Sequence, residues 1–93
     1  MQRLNISDDG RQICLVDECN RVLWTAGVPP LADWRRLCGG MQSDASLERG
    51  VYRWVNGADN FKIVVVFSPY GGLDFNLTYS ISSGELLGIQ EAR

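Results

Sequence analysis

Apolar and polar residues alternate along the second half of this chain with the period of two that is typical of a half-buried β-strand. The run 73–81 (LDFNLTYSI) alternates over its whole length, which predicts a strand with one buried face. The predicted core positions of this strand are Leu73, Phe75, Leu77, Tyr79 and Ile81. The preceding run 61–67 (FKIVVVF) is β-branched and apolar on nearly both faces, as expected of a central strand. The two runs therefore predict neighbouring antiparallel strands.

Strand and turn signals also flank this pair of strands. Residues 51–55 are rich in residues that favour strands, and residues 56–60 (NGADN) have the composition of a hairpin loop. Residues 82–85 (SSGE) indicate a tight turn before a last strand at 86–90. The second half of the chain is therefore predicted to form a four-stranded antiparallel meander.

The N-terminal part carries a second set of hairpin signals. Residues 4–7 and 12–16 read as strands around an Asp-Gly turn at 8–10, and Asp-Gly is a strong hairpin signal. Residues 17–20 (DECN) separate the second strand from another apolar run at 22–25, with turn-favouring Asp and Asn. The local chemistry therefore favours two consecutive β-hairpins.

One helix is predicted between the Pro pair at 29–30 and the Gly pair at 39–40. Pro30 suits the first helical position, and glycine permits the left-handed cap that ends a helix. The apolar stripe of this helix consists of Leu31, Trp34 and Leu37 or Cys38. A further helical turn is predicted over 43–50. The fold class is thus α+β: an antiparallel β-sheet, made of N-terminal β-hairpins plus a C-terminal β-meander, with one short helix packed on one face.

Length and composition indicate one compact domain over residues 1–93. The chain has 93 residues, of which 45% are hydrophobic, enough for one core and too few for two. The longest apolar stretch, 63–67, is far shorter than the ~20 residues of a membrane helix, and no secretory signal is visible. We therefore expect a soluble, cytoplasmic protein without a membrane partner.

The charge pattern argues against nucleic acid as a partner. The net charge is −2 and each half of the chain carries −1, whereas nucleic-acid binders depend on a basic field that neutralises phosphates. The cations are eight Arg and a single Lys. We interpret this bias as the codon usage of a GC-rich genome, which indicates a bacterial or phage source.

The three cysteines predict no metal, cofactor or catalytic site. Cys14, Cys19 and Cys38 have no histidine to join them, although a structural zinc site needs four Cys or His ligands and a nucleophilic thiolate usually needs His. Cys14 and Cys38 are expected to be small core-facing residues. No phosphate-binding or dinucleotide-binding glycine pattern is present. An enzyme that uses Cys14 or a carboxylate is the third hypothesis, behind two kinds of binding protein.

Arginines and aromatic residues are interleaved on the predicted helix and on the strand at 51–55. Such residue types form the hot spots of protein interfaces, and in a single-strand binder they would stack bases and hold phosphates. A structural alternative is that Tyr52 and Trp54 share the inward face of their strand and Trp34 seals the helix onto the sheet. The residues predicted to bind a partner are Trp34, Arg35, Arg36, Arg49, Tyr52, Arg53 and Tyr70.

Two functional hypotheses follow from these patterns. The first is a small stand-alone protein-interaction domain of bacterial or phage origin, such as an inhibitor, an immunity protein or an anti-defence protein. The second is a regulatory domain that binds a small ligand in an aromatic pocket between helix and sheet, lined by Trp24, Trp34 and Tyr79. A homodimer formed by pairing of sheet edges or by a shared aromatic face is compatible with either.

Overall fold

The computed structural model describes residues 2–38, 45–69 and 73–92. Within these residues the chain forms seven strands, one α-helix and one 3₁₀ helix. The elements in chain order are β1 (Arg3–Ile6), β2 (Gln12–Val16), β3 (Val22–Gly27), α1 (Leu31–Cys38), the 3₁₀ helix (Ala45–Arg49), β4 (Val51–Ala58), β5 (Lys62–Ser68), β6 (Phe75–Ser80) and β7 (Leu86–Glu91).

The strands form two antiparallel sheets. The N-terminal sheet has the order β1-β2-β3, and the C-terminal sheet is a meander with the order β4-β5-β6-β7. Every neighbour in a sheet is also a neighbour in sequence, so each connection within a sheet is a hairpin. The helix α1 contacts β7. The predicted α+β class, with N-terminal hairpins, a C-terminal meander and one short helix, is confirmed.

The alternation in β6 builds one wall of the core. Phe75, Leu77 and Tyr79 are buried as predicted, and Phe75 and Leu77 lie opposite the buried Phe67 and Val65 of β5. The prediction for Leu73 is wrong, because this side chain is 62% exposed. Pairing between β5 and β6 extends only as far as Phe75, so Leu73 lies outside the ladder that would have turned it inward.

Two irregularities in β4 change which of its side chains face the core. The register with β5 shifts between Tyr52 and Trp54 and again between Val55 and Gly57. Each extra residue reverses the alternation that follows it. Tyr52 is therefore 2% exposed whereas Trp54 is 52% exposed, and the prediction that they share the inward face is wrong. The strand also continues to Ala58, through residues predicted to be a loop.

The helix α1 is fixed to the C-terminal sheet by Trp34. This side chain is fully buried, and its ring lies 5.7 Å from that of Phe67 and 5.1 Å from that of Phe75. The expectation that Trp34 seals the helix onto the sheet is confirmed. At the start of the helix, the Leu31 N–H donates to the Glu48 carboxylate at 3.2 Å. The predicted helical turn at 43–50 is the 3₁₀ helix, whereas Ser43 and the Gly pair at 39–40 lie outside the described residues.

Several hydrogen bonds tie the two sheets together. The Tyr52 N–H donates to the Gly10 carbonyl at 2.7 Å, and the Tyr52 hydroxyl donates to the Gly27 carbonyl at 2.7 Å. The Trp24 indole N–H donates to the Ile81 carbonyl at 2.8 Å. Gly10 occupies the left-handed region, with φ at 72°, a conformation that glycine adopts without steric cost. The N-terminal sheet is thus fixed against both β4 and the β6–β7 turn.

Candidate functional site

The residues predicted to bind a partner are divided between the core and the surface. Trp34 and Tyr52 are buried in the core, so neither offers its ring to a partner in this conformation. The exposed members of the set are Arg35, Arg36, Arg49 and Arg53. Tyr70 lies outside the described residues.

The exposed arginines do not all lie on one element. Arg35 and Arg36 belong to α1, Arg49 belongs to the 3₁₀ helix, and Arg53 belongs to β4. Arg36 also pairs with Asp33 of its own helix at 3.3 Å. The four arginines therefore belong to three separate elements.

The segment 17–20, with its two carboxylates and Cys19, is a hairpin turn as predicted. The Asp17 carboxylate accepts the backbone N–H groups of Cys19 at 2.8 Å and Arg21 at 3.0 Å, and Asn20 takes the left-handed conformation with φ at 64°. Asn is one of the few residues other than glycine that tolerates this conformation. The Asp17 carboxylate is thus engaged in holding the turn.

All three cysteines are free thiols with different exposure. Cys19 is exposed, and Cys14 and Cys38 are half-buried. Burial raises the pKa of the Cys38 thiol above its usual value, which disfavours the reactive thiolate. Across residues 2–38, 45–69 and 73–92, no three Cys, Asp or Glu side chains are grouped so that they could hold a metal ion.

A groove lies where the starts of β1 and β3 meet the β4–β5 and β6–β7 connections. It has a volume of about 640 Å³. Its apolar lining, which we call the Phe61 groove, consists of Leu23, Phe61, Ile81 and Leu87. Its polar lining consists of Gln2, Asn60, Lys62, Ser80 and Ser82. Apolar residues from three separate parts of the sequence are thus brought to one surface.

Phe61 is held in an outward position by its own backbone. The Asp59 carboxylate accepts the N–H of Phe61 at 2.7 Å and that of Lys62 at 2.8 Å, and the Phe61 carbonyl accepts the Ile81 N–H at 2.9 Å. The Phe61 side chain is nevertheless 77% exposed. A large ring is therefore presented to solvent from a main chain that is fixed on both sides.

Sequence reasoning missed the Phe61 groove because it assigned Phe61 to a buried strand. The strand β5 begins one residue later, at Lys62, so Phe61 has no position in the ladder. One local signal for the groove was available in the adjacent pair Leu86 and Leu87, since neighbouring residues of a strand point to opposite faces. Leu86 is buried and Leu87 is 44% exposed. The contribution of Leu23 depends on the docking of the two sheets and has no local signal.

A second, smaller concavity lies beside α1 and has a volume of about 220 Å³. We call it the Tyr79 cleft, and its lining residues include Gly27, Asp33, Tyr79, Gly84 and Leu86. The cleft lies partly where the sequence predicted an aromatic pocket between helix and sheet. Tyr79 lines it and stacks on Trp24 with ring centres 6.0 Å apart. Trp34 instead packs beneath the helix and is not among the lining residues.

The tyrosine at the cleft is part of a buried hydroxyl pair. The Tyr79 and Tyr52 hydroxyls are hydrogen-bonded to each other, and Tyr52 also donates to the Gly27 carbonyl. Burial raises the pKa of Tyr79 to about 12, with a further contribution from the negative charge of Asp33. Burial likewise raises the pKa of Tyr52. Both hydroxyls are therefore protonated at neutral pH.

The helices that the structure describes include none that is long and apolar enough to cross a membrane. No family model, curated protein or solved structure matches the chain. The Phe61 groove and the Tyr79 cleft must therefore be interpreted from their own shape and chemistry.

Proposed function

We propose that this chain acts by binding another protein, with an apolar side chain of the partner seated in the Phe61 groove. The observation that supports this proposal is the exposure of Phe61, at 77%, beside Leu23 at 45% and Leu87 at 44% in one groove. Leaving apolar surface in water costs about 25 cal/mol per Å². Contiguous exposed apolar residues with a polar rim are typical of docking surfaces on soluble proteins.

The rim of the groove favours a protein partner over a charged small molecule. Its polar residues are neutral except for Lys62, so the groove has little charge with which to capture an ionic metabolite. A central apolar cluster surrounded by neutral polar groups is the usual anatomy of a protein interface. The favoured partner therefore presents an aromatic or aliphatic anchor with a carboxylate beside it that pairs with Lys62.

The fixed backbone at Phe61 also supports binding. A side chain on an ordered main chain loses less conformational entropy on association than one on a mobile loop. The Asp59 and Ile81 contacts supply this order before any partner arrives. Such a preorganised surface suits the inhibitor, immunity or anti-defence role inferred from the sequence, in which a small protein blocks a larger one.

Affinity capture with matched variants tests the proposal. The tagged chain, a Phe61→Ser/Leu87→Ser variant and a Leu73→Ser control are each used to capture proteins from a lysate of the source organism, with mass spectrometry as readout. Leu73 is a suitable control because it is 62% exposed and does not line the groove. A captured protein is then purified, and its Kd for all three chains is measured by titration calorimetry.

Loss of two interface anchors is expected to raise the Kd at least about thirtyfold, since a hot-spot residue contributes about 2 kcal/mol or more. The control is expected to bind like the native chain. Equal affinity of the groove variant and the native chain would contradict the assignment of the groove. Sedimentation of the native chain alone shows whether the partner is a second copy of itself.

A further inference from the structure

We infer that the Tyr79 cleft is a binding site for a small organic cation, of the class of primary alkylammonium ions. The site is separate from the Phe61 groove, and the inference does not depend on the function proposed for that groove. It follows from the hydrogen-bonding capacity, the charge and the size of the cleft.

The hydroxyl pair leaves the cleft without a hydroxyl donor. Tyr52 donates to the Gly27 carbonyl, which can only accept, so the hydrogen bond between the two hydroxyls is donated by Tyr79. The Tyr79 oxygen retains acceptor capacity. Gly27 and Tyr79 both line the cleft. The hydrogens of both hydroxyls are therefore already used, and the acceptors left at the cleft are the carbonyl of the exposed Gly27 and the oxygen of the buried Tyr79.

Asp33 adds a negative charge to the same lining. Its carboxylate contacts Arg36 at 3.3 Å, but that arginine is more than half exposed, and such surface pairs are weak. The charge of Asp33 still acts on Tyr79, because it contributes to the raised pKa of the Tyr79 hydroxyl. A cation that reaches both groups gains a charged and a neutral acceptor.

The start of α1 also borders the cleft, and helix N-termini commonly attract anions. Here the amides that would do so are mostly engaged. The Leu31 N–H donates to Glu48, and the N–H groups of Asp33 and Trp34 both donate to the Pro30 carbonyl. Pro30 itself has no N–H. The charge of Asp33 therefore dominates, and the cleft favours a cation.

The remaining walls are apolar and set the size of the ligand. Val28, Pro29 and Leu86 line the cleft beside the polar groups, so an alkyl chain can contact them while its ammonium group faces Asp33. The volume of about 220 Å³ is that of about seven liquid waters at ~30 Å³ each. A short alkylamine fits this space.

Titration of the ¹⁵N-labelled chain with n-butylammonium tests the inference, with n-butanol as the neutral isostere and n-butyrate as the anion. We expect saturable amide shifts at Gly27, Asp33 and Gly84 with n-butylammonium, at a millimolar Kd. Asp33→Asn is expected to weaken binding about tenfold or more, because it removes the charged acceptor. Asp8→Asn removes one carboxylate from the exposed β1–β2 turn and is expected to leave the Kd unchanged.

Tyr79→Phe is a second variant that keeps the ring and removes the acceptor oxygen, and the dispersion of its amide spectrum reports whether it is folded. Its Kd is expected to lie above that of the native chain. The inference is overturned if n-butanol or n-butyrate binds as tightly as n-butylammonium, or if Asp33→Asn and Asp8→Asn have equal effects. It is equally overturned if the folded native chain shows no saturable shift with n-butylammonium.

Discussion

Trp34 carries the largest fully buried side chain among the described residues. Its ring contacts Phe67 and Phe75, and within the described part of the chain its indole N–H has no hydrogen-bond partner. A buried polar group without a partner costs about 1–3 kcal/mol. Trp34 therefore combines favourable packing with an unpartnered N–H group, and substitution can separate these two effects.

Trp34→Ala is expected to lower the free energy of unfolding by about 3–5 kcal/mol, since it removes the ring contacts and leaves a cavity. Trp34→Phe is expected to lower it much less, because a smaller ring remains and the unpartnered N–H is removed. Urea unfolding followed by circular dichroism measures both values. Equal losses for the two variants would contradict this expectation, because the smaller ring of Trp34→Phe would then contribute nothing to stability.

At the scale of elements, the tight turns of three hairpins are each organised by one aspartate. Asp9 accepts the Ser7 hydroxyl and the Arg11 N–H, Asp17 accepts two backbone N–H groups after β2, and Asp59 accepts two after β4. These hydrogen bonds lower the pKa of all three carboxyls. The largest effect on Asp9 comes from the Ser7 hydroxyl. The largest effect on Asp17 comes from the Arg21 N–H and that on Asp59 from the Phe61 N–H. The ionised carboxylates thus stabilise the turns.

A lowered folded-state pKa means that this stabilisation is complete above the unfolded value near 3.9 and is lost as the pH falls through the folded value. The free energy of unfolding is therefore expected to decline from about pH 4 downward. The free energy of unfolding of Asp59→Asn is expected to decline less steeply with falling pH than that of the native chain. Asp8→Asn serves as the control. Urea unfolding between pH 6 and pH 2.5 measures the slopes. If the free energy of unfolding of Asp59→Asn falls as steeply with pH as that of the native chain, the claim that the Asp59 carboxylate stabilises its turn is contradicted.

These turns also show what local sequence predicts and what it does not. The turns at 8–10 and 17–20 follow from turn chemistry and the buried face of β6 follows from alternation, and all three are observed. The outward position of Trp54 depends on an extra residue in β4 relative to β5, which alternation within one strand does not reveal. The Phe61 groove was missed because Phe61 was assigned to a strand that begins one residue later, and because the contribution of Leu23 depends on how the two sheets dock. The Tyr79 cleft was anticipated through Tyr79, whereas Asp33 was not among the residues predicted to line it.

At the scale of the whole molecule, the buried hydroxyl pair links the two sheets through side chains. Tyr52 lies on β4 and Tyr79 on β6, and the Gly27 carbonyl that accepts from Tyr52 ends β3. Burial raises the pKa of Tyr79 to about 12 and raises that of Tyr52 as well. The docking of the N-terminal sheet therefore depends on hydroxyls that must stay protonated.

A raised folded-state pKa gives stability that is fully present below the unfolded value near 10 and is lost as the pH rises through the folded value. Between pH 10 and about 12 the unfolded chain releases the Tyr79 proton while the folded chain keeps it. The free energy of unfolding is expected to fall there by up to about 1.4 kcal/mol per pH unit for each buried tyrosine. Tyr79→Phe removes one titrating group. Its free energy of unfolding is therefore expected to fall less steeply with rising pH than that of the native chain, even though its stability at pH 8 is already reduced. Urea unfolding from pH 8 to pH 11, with tyrosinate absorbance recorded in parallel, measures both slopes, and identical slopes would exclude Tyr79 as a source of the alkaline instability.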